Sequence, residues 1–187
     1  MTRQFVLLFA AVTLLAVLPG YAGEKTAVTS VDRFDPLGLF LGLGPIGTWY
    51  DLGTFTCPGN QPTGNPAQPC PVGSRVRIRG IVYHSQHSSS DPRLNGWSTF
   101  DFNANWDADG NGPTWGKWKI DVDAGGVWEG VYNGGKPFGE RVEFHGTGGL
   151  VDGLLLKMET TAGTLYGGGI AFEIAYAGYI VDPHEKK

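Results

Sequence analysis

Between Val127 and Thr160 the chain reads VWEGVYNGGKPFGERVEFHGTGGLVDGLLLKMET, three runs that alternate apolar and polar residues and are joined by glycine-rich turns. Alternation of this kind is the period of a half-buried strand, not of a helix. Val142 and Phe144 fall on one face, opposite Arg141, Glu143, His145 and Thr147; Leu154, Leu156 and Met158 share a face with Asp152, opposite Lys157 and Glu159. Asn133-Gly134-Gly135-Lys136-Pro137 and Gly148-Gly149 supply the turns, because Gly and Asn tolerate the positive φ that tight hairpins need. The stretch is predicted to be an antiparallel meander.

The same period recurs on either side of it. Thr48–Thr56 is the first credible strand; Ser74–His84 follows, with Val76, Ile78 and Val82 opposite Arg75, Arg77 and Arg79, and with Gly80 marking a bend or bulge. His84–Asn95 is polar and reads as a loop. Gly96–Trp106 and Thr114–Asp123 alternate again, the second with Trp118, Ile120 and Val122 on one face. After a turn at Ala162-Gly163, Thr164–Val181 supplies one or two last strands, with Ile170, Phe172, Ile174 and Tyr176 on a common face. No helix is expected after the N-terminal leader.

About eight strands joined by successive hairpins must dispose of their sheet edges, and an antiparallel set of that size does so by closing. The expected fold is therefore all-β: an antiparallel up-and-down β-barrel of about eight strands, spanning 48–181. It is preceded by a signal peptide (1–22) and an extended segment (23–47) that packs over a barrel end or edge, and followed by a polar tail (182–187).

The leader has a positive start at Arg3, an apolar run from Phe5 to Leu18 and a break at Pro19-Gly20, which predicts cleavage after Ala22 and a secreted or periplasmic protein. No second run long enough to span a membrane follows. The net charge of −4, and Arg75, Arg77 and Arg79 alternating as a solvated strand face, argue against nucleic acid as a partner. Cys57 and Cys70, at short spacing in an exported chain, predict one disulfide, worth about 3 kcal/mol in the chain-entropy model.

Four groups of residues could carry chemistry. Asn103, Asn105, Asp107, Asp109 and Asn111 place oxygens at every second position of a turn; Asn105, Asp107 and Asp109 could serve a calcium ion, or the side chains could simply cap backbone amides. An EF-hand is excluded, since Gly116 stands where its twelfth-position glutamate would be. Apart from that calcium, no cofactor is implied. On the meander, Glu129, His145 and Asp152 are the acid–base candidates. The larger apolar set of a small barrel normally points inward, which would leave Glu129, Glu143 and His145 outside as cross-strand pairs; Asp152 either bonds to a turn at a strand mouth or is a buried carboxylate. His84 and His87 could grip a metal only with a third ligand. Trp97 and Trp115, if exposed, could stack on sugar rings.

The words WEGVYNG and VEFHGTGGLVDGLLLKME, with NANWDADGNGPTWGKWKID upstream, resemble secreted bacterial and fungal proteins of the allene oxide cyclase barrel-like group, in the calycin class of small antiparallel barrels. The resemblance implies an eight-stranded barrel with an apolar lumen. In the plant enzymes of that group the lumen binds an unsaturated fatty-acid epoxide and guides its cyclisation, but the plant catalytic residues do not align onto this chain.

Three readings follow. The first is a binding protein whose lumen, lined by Trp118, Phe144, Leu154, Leu156, Phe172 and Ile174, takes a small apolar molecule such as a lipid. The second is a barrel without a ligand, filled by its own side chains. The third is an isomerase or cyclase in the same cavity, with Asp152 or Glu129 as acid or base. The sequence leaves the oligomeric state open.

Overall fold

The alternating segments pair into one continuous antiparallel sheet. The structure, a computed structural model, describes residues 23–57, 62–63, 74–136, 139–166 and 171–184. Its strands are β1 (Glu24–Phe34), β2 (Thr48–Thr56), β3 (Pro62–Thr63), β4 (Val76–Ser89), β5 (Gly96–Trp106), β6 (Gly112–Val122), β7 (Val127–Lys136), β8 (Gly139–Thr147), β9 (Leu155–Tyr166) and β10 (Ala171–Asp182). From β4 to β10 each strand pairs with the next; β10 pairs with β1, and β1 returns to β4. Eight strands thus close an up-and-down barrel, as the hairpin order predicts, with β2 and its short partner β3 outside the ring. Among the described residues no helix is long and apolar enough to cross a membrane.

Closure depends on a division of labour along one strand. The start of β4 (77–84) is paired by β2, and its end (86–89) by β1, so β1 and β2 lie in line along a single edge. The segment between them leaves that line and is pinched at its base by a bridge between Asp35 and Ile46. The extended N-terminal segment is therefore a full member of the barrel from Glu24 to Phe34, not a cover over its end.

The larger apolar set points inward. Trp118, Tyr132, Phe144, Leu156 and Tyr176 are all buried, while Glu129, Glu143 and His145 alternate with them on the exposed face. On that outer face Lys157 meets Glu143 at 2.9 Å and Arg141 meets Glu159 at 3.1 Å, solvated cross-strand pairs that contribute little to stability. The packing needs glycine where rings cross a neighbouring strand: a Cβ on Gly116 would overlap the Asp101 carbonyl oxygen and lie 2.8 Å from the Tyr132 ring.

A bulge changes the face assignment of β4. Ile78 pairs with Ala104 and Ile81 with Phe102, so Arg79 and Gly80 together stand opposite the single residue Asn103, with Gly80 at φ 64°. The parity flips there, which corrects the expectation that Val82 shares the face of Ile78. Ile81, Tyr83, Ser85 and His87 are the buried set instead. The polar stretch after His84, expected as a loop, continues the strand to Ser89. Ala162-Gly163, expected as a turn, likewise lies inside β9, next to a bulge at Thr161.

The two ends of the barrel differ. At one, Leu94 and Val151 are buried in short 3-10 turns, the Trp128 indole donates to the Arg93 carbonyl at 2.7 Å, and Asp152 accepts the Gly148 amide at 2.8 Å. That end is sealed. At the other, Phe102 and Ile174 point inward by register yet remain half-exposed, beside the buried rings of Phe34, Tyr83 and Phe172. Cys70, most of the loop predicted to be closed by its disulfide, and Ile170 lie outside the described residues; Cys57 directly follows β2.

Candidate functional site

Closure of the ring sets Asp32 of β1 opposite His87 of β4, and the next ladder sets Ser85 opposite Ser98 of β5. All four side chains face the interior and are fully buried. Ser85 donates to Asp32 Oδ2 at 2.9 Å, Ser98 donates to Oδ1 at 2.8 Å, and the two hydroxyls are 3.0 Å apart. The carboxylate is thereby oriented by two short hydrogen bonds in a medium of low dielectric, where each counts for more than in water. His87 Nδ1 stands 3.7 Å from Asp32 Oδ1, close enough for electrostatic coupling but beyond hydrogen-bond length.

Aromatic rings surround this knot. Trp118 touches Phe100, Phe144 and Tyr176 at centroid separations of 4.4, 5.1 and 5.0 Å, and His87 meets the Trp118 ring at 5.5 Å. The series runs on through Tyr83 and Phe172 to Phe34, towards the open end. Among the described residues, both ring nitrogens of His87, the Trp118 indole N–H and the Tyr176 hydroxyl are buried with no hydrogen-bond partner. Each such group costs about 1–3 kcal/mol of desolvation when left unmet, and the three rings that carry them lie against one another, with centroids 5.0–6.4 Å apart.

Burial keeps the phenols neutral. Tyr83 and Tyr176 are pushed well above the ordinary tyrosine range, first by burial and then by the charges of Glu140 and Asp32; Tyr132 is raised for the same leading reason. Glu140, at the open end, accepts the Thr114 hydroxyl at 3.1 Å, and its amide donates to Thr160 at 3.2 Å. The interior thus offers the neutral phenols of Tyr83, Tyr132 and Tyr176 together with the Asp32 carboxyl, with the His87 ring 3.7 Å from it.

The residues singled out from the sequence are distributed differently. Trp118, Phe144, Leu156 and Phe172 are buried in the barrel, and Leu154 and Ile174 are half-buried at its margins. Glu129 and His145 lie on the outer wall and Asp152 serves a turn, so none of the three faces the interior. Asp107 Oδ1 accepts the amides of Asp109 and Asn111 at 3.0 and 2.9 Å, while Asn105 accepts Arg79 at 2.7 Å; the side chains are used within the hairpin and against Arg79. Among the described residues no three or more of His, Cys, Asp and Glu gather where they could hold a metal. His84, separated from buried His87, is stacked between Tyr50 and Trp97 at 5.2 and 4.9 Å on the outer wall, where the rings cover one another's faces. Trp115 lies under Arg79 at 4.7 Å.

Sequence reasoning missed Asp32, Ser85 and Ser98, and placed His87 beside His84 in a polar loop instead of on the inner face of a strand. The available signal was parity: past the Gly80 bulge, Ser85 and His87 continue the inward series begun by Ile81 and Tyr83. The chain matches no protein-family model, no curated protein and no solved structure. What the site can do therefore rests on its own geometry.

Proposed function

We propose that this protein is an exported barrel that binds a small, mostly apolar molecule carrying one polar group. The apolar part lies against Tyr83, Phe102, Phe172 and Ile174 at the open end, and the polar group meets Tyr176, Trp118 and His87. The observation that carries this reading is the packing together of three buried rings whose polar atoms have no partner among the described residues, since such atoms are normally matched by protein, water or ligand. The close ring contacts require a slim guest, flat or chain-like, as a fatty acyl chain is. Export is supported by the leader, and the closed eight-stranded ring is the architecture that the resemblance to the allene oxide cyclase barrel-like group implies.

Native mass spectrometry of protein purified from its own host tests the proposal. A retained mass that is lost in Tyr176→Phe is the expected result; a bare chain mass under gentle desolvation would overturn it. The ring contacts of 4.4–5.5 Å favour the rival, a barrel filled by its own side chains. If the guest is turned over as well as held, the acid and base belong to Asp32 and His87, the pair that faces the interior, rather than to Asp152 or Glu129.

A further inference from the structure

Between β1 and β2 the chain runs PLGLFLGLGPIG, from Pro36 to Gly47, without a charged side chain or a side chain able to hydrogen-bond. An apolar stretch in a folded protein normally turns inward. This one does the reverse: Leu37, Leu39, Phe40 and Leu43 are 58, 69, 36 and 65% exposed. The conformation is built rather than slack. The buried carboxylate of Asp35 accepts the amides of Leu39, Phe40 and Leu41 at 3.1, 2.8 and 2.8 Å. The Asp35 carbonyl takes the amides of Gly38 and Ile46 at 3.0 and 2.8 Å. Burial pushes the Asp35 pKa up, but the amides of Leu41, Phe40, Leu39 and Gly38 outweigh it and hold the carboxyl below its ordinary value.

Two properties select the partner. A protein surface would be recognised through an apolar centre with a polar rim, over roughly 800 Å² per partner, and a single narrow loop lacking any polar side chain supplies neither. A hydrocarbon phase asks for less: apolar side chains, and backbone amides already satisfied inside the protein. The amides of 38–41 and 46 meet that second condition through Asp35. The net charge of −4 opposes anionic headgroups, so the favoured surface is a neutral one.

We propose that the Leu37–Leu43 loop is a preformed anchor that inserts its leucines into a zwitterionic lipid surface. It emerges beside Phe34, at the open end of the barrel, so docking would present that end to the membrane. The proposal stands on the loop alone and does not depend on what occupies the interior.

Flotation of the purified protein with phosphatidylcholine vesicles, at low and high salt, is the test. We expect vesicle binding that salt does not weaken. In Leu39→Ser/Leu43→Ser, binding should fall about tenfold or more, as the loss of two inserted leucines requires, with an unchanged melting temperature because both side chains are exposed. Val131→Ser, which removes a 57% exposed side chain from the barrel wall, should bind like the wild type. A Leu43→Trp variant gives an independent reading, with emission that shifts to the blue on binding and is quenched by brominated lipid. Absence of binding by the wild type, equal loss in Val131→Ser, an unshifted Leu43→Trp emission, or self-association abolished by the leucine substitutions in place of vesicle binding would each overturn the proposal.

Discussion

Asp32 and His87 face each other across the seam at which the barrel closes, Oδ1 of the one 3.7 Å from Nδ1 of the other and both side chains fully buried. β1 and β4 meet there only because β10 carries the chain back to its beginning. The polar centre of the molecule is therefore a product of ring closure, and its energetics can be tested one group at a time.

Asp32→Ala leaves two buried serine hydroxyls without their acceptor. The expected loss is about 3 kcal/mol, since each unmet hydroxyl costs about 1–3 kcal/mol. Urea denaturation of wild type and variant measures it. A loss below 1 kcal/mol would mean that the carboxylate does not organise the knot.

Tyr176→Phe removes a buried hydroxyl that has no partner among the described residues. In protein stripped of any guest, stability should stay level or rise by about 1 kcal/mol, because no hydrogen bond is lost and an unmet group disappears. A clear drop in melting temperature would show that the hydroxyl was satisfied after all.

Alkali should unfold the protein cooperatively. The phenols of Tyr83, Tyr132 and Tyr176 are held above their ordinary value of 10.0 by burial, so above that pH the unfolded chain loses protons that the folded chain keeps. Stability is then complete below about pH 10 and falls as pH rises, by about 1.4 kcal/mol per unit for each tyrosine. Phenolate absorbance and circular dichroism followed together in a pH titration should show these three ionising only as the fold is lost. Ionisation of all tyrosines ahead of unfolding would contradict the burial.

Gly116→Ala places a methyl group against the Asp101 carbonyl and the Tyr132 ring, where backbone must move. We expect a loss of about 3 kcal/mol or more, the range of strain combined with overpacking. Gly42→Ala, at φ 69° in the exposed loop with open space around it, meets no such contact and should cost less. The order of the two melting temperatures decides the matter.

Asp107→Ala should lower stability by about 1 kcal/mol through loss of the side-chain caps on Asp109 and Asn111. The loss should be equal in calcium and in chelator. A melting temperature that calcium raises in the wild type alone would restore the metal reading of that turn.

The amino-acid sequence by itself determined the strand period, the meander from Val127 to Thr160, the antiparallel order and the gathering of Trp118, Phe144 and Leu156 on the apolar faces of their strands, because alternation and turn chemistry act between near neighbours; that those faces point inward was decided by the closed ring. It also carried the anomaly of an apolar segment from Pro36 to Gly47, though not whether that segment is covered. Only the tertiary structure decided that β1 and β2 share one edge of β4, that the Gly80 bulge turns Ser85 and His87 inward, and that Asp32 meets them. A bulge shifts parity by one residue without changing the local alternation, and closure joins residues more than fifty positions apart. Neither leaves a mark in any short window of the chain, so a polar cluster inside an apolar barrel looked like a hydrophilic loop until the ring was complete.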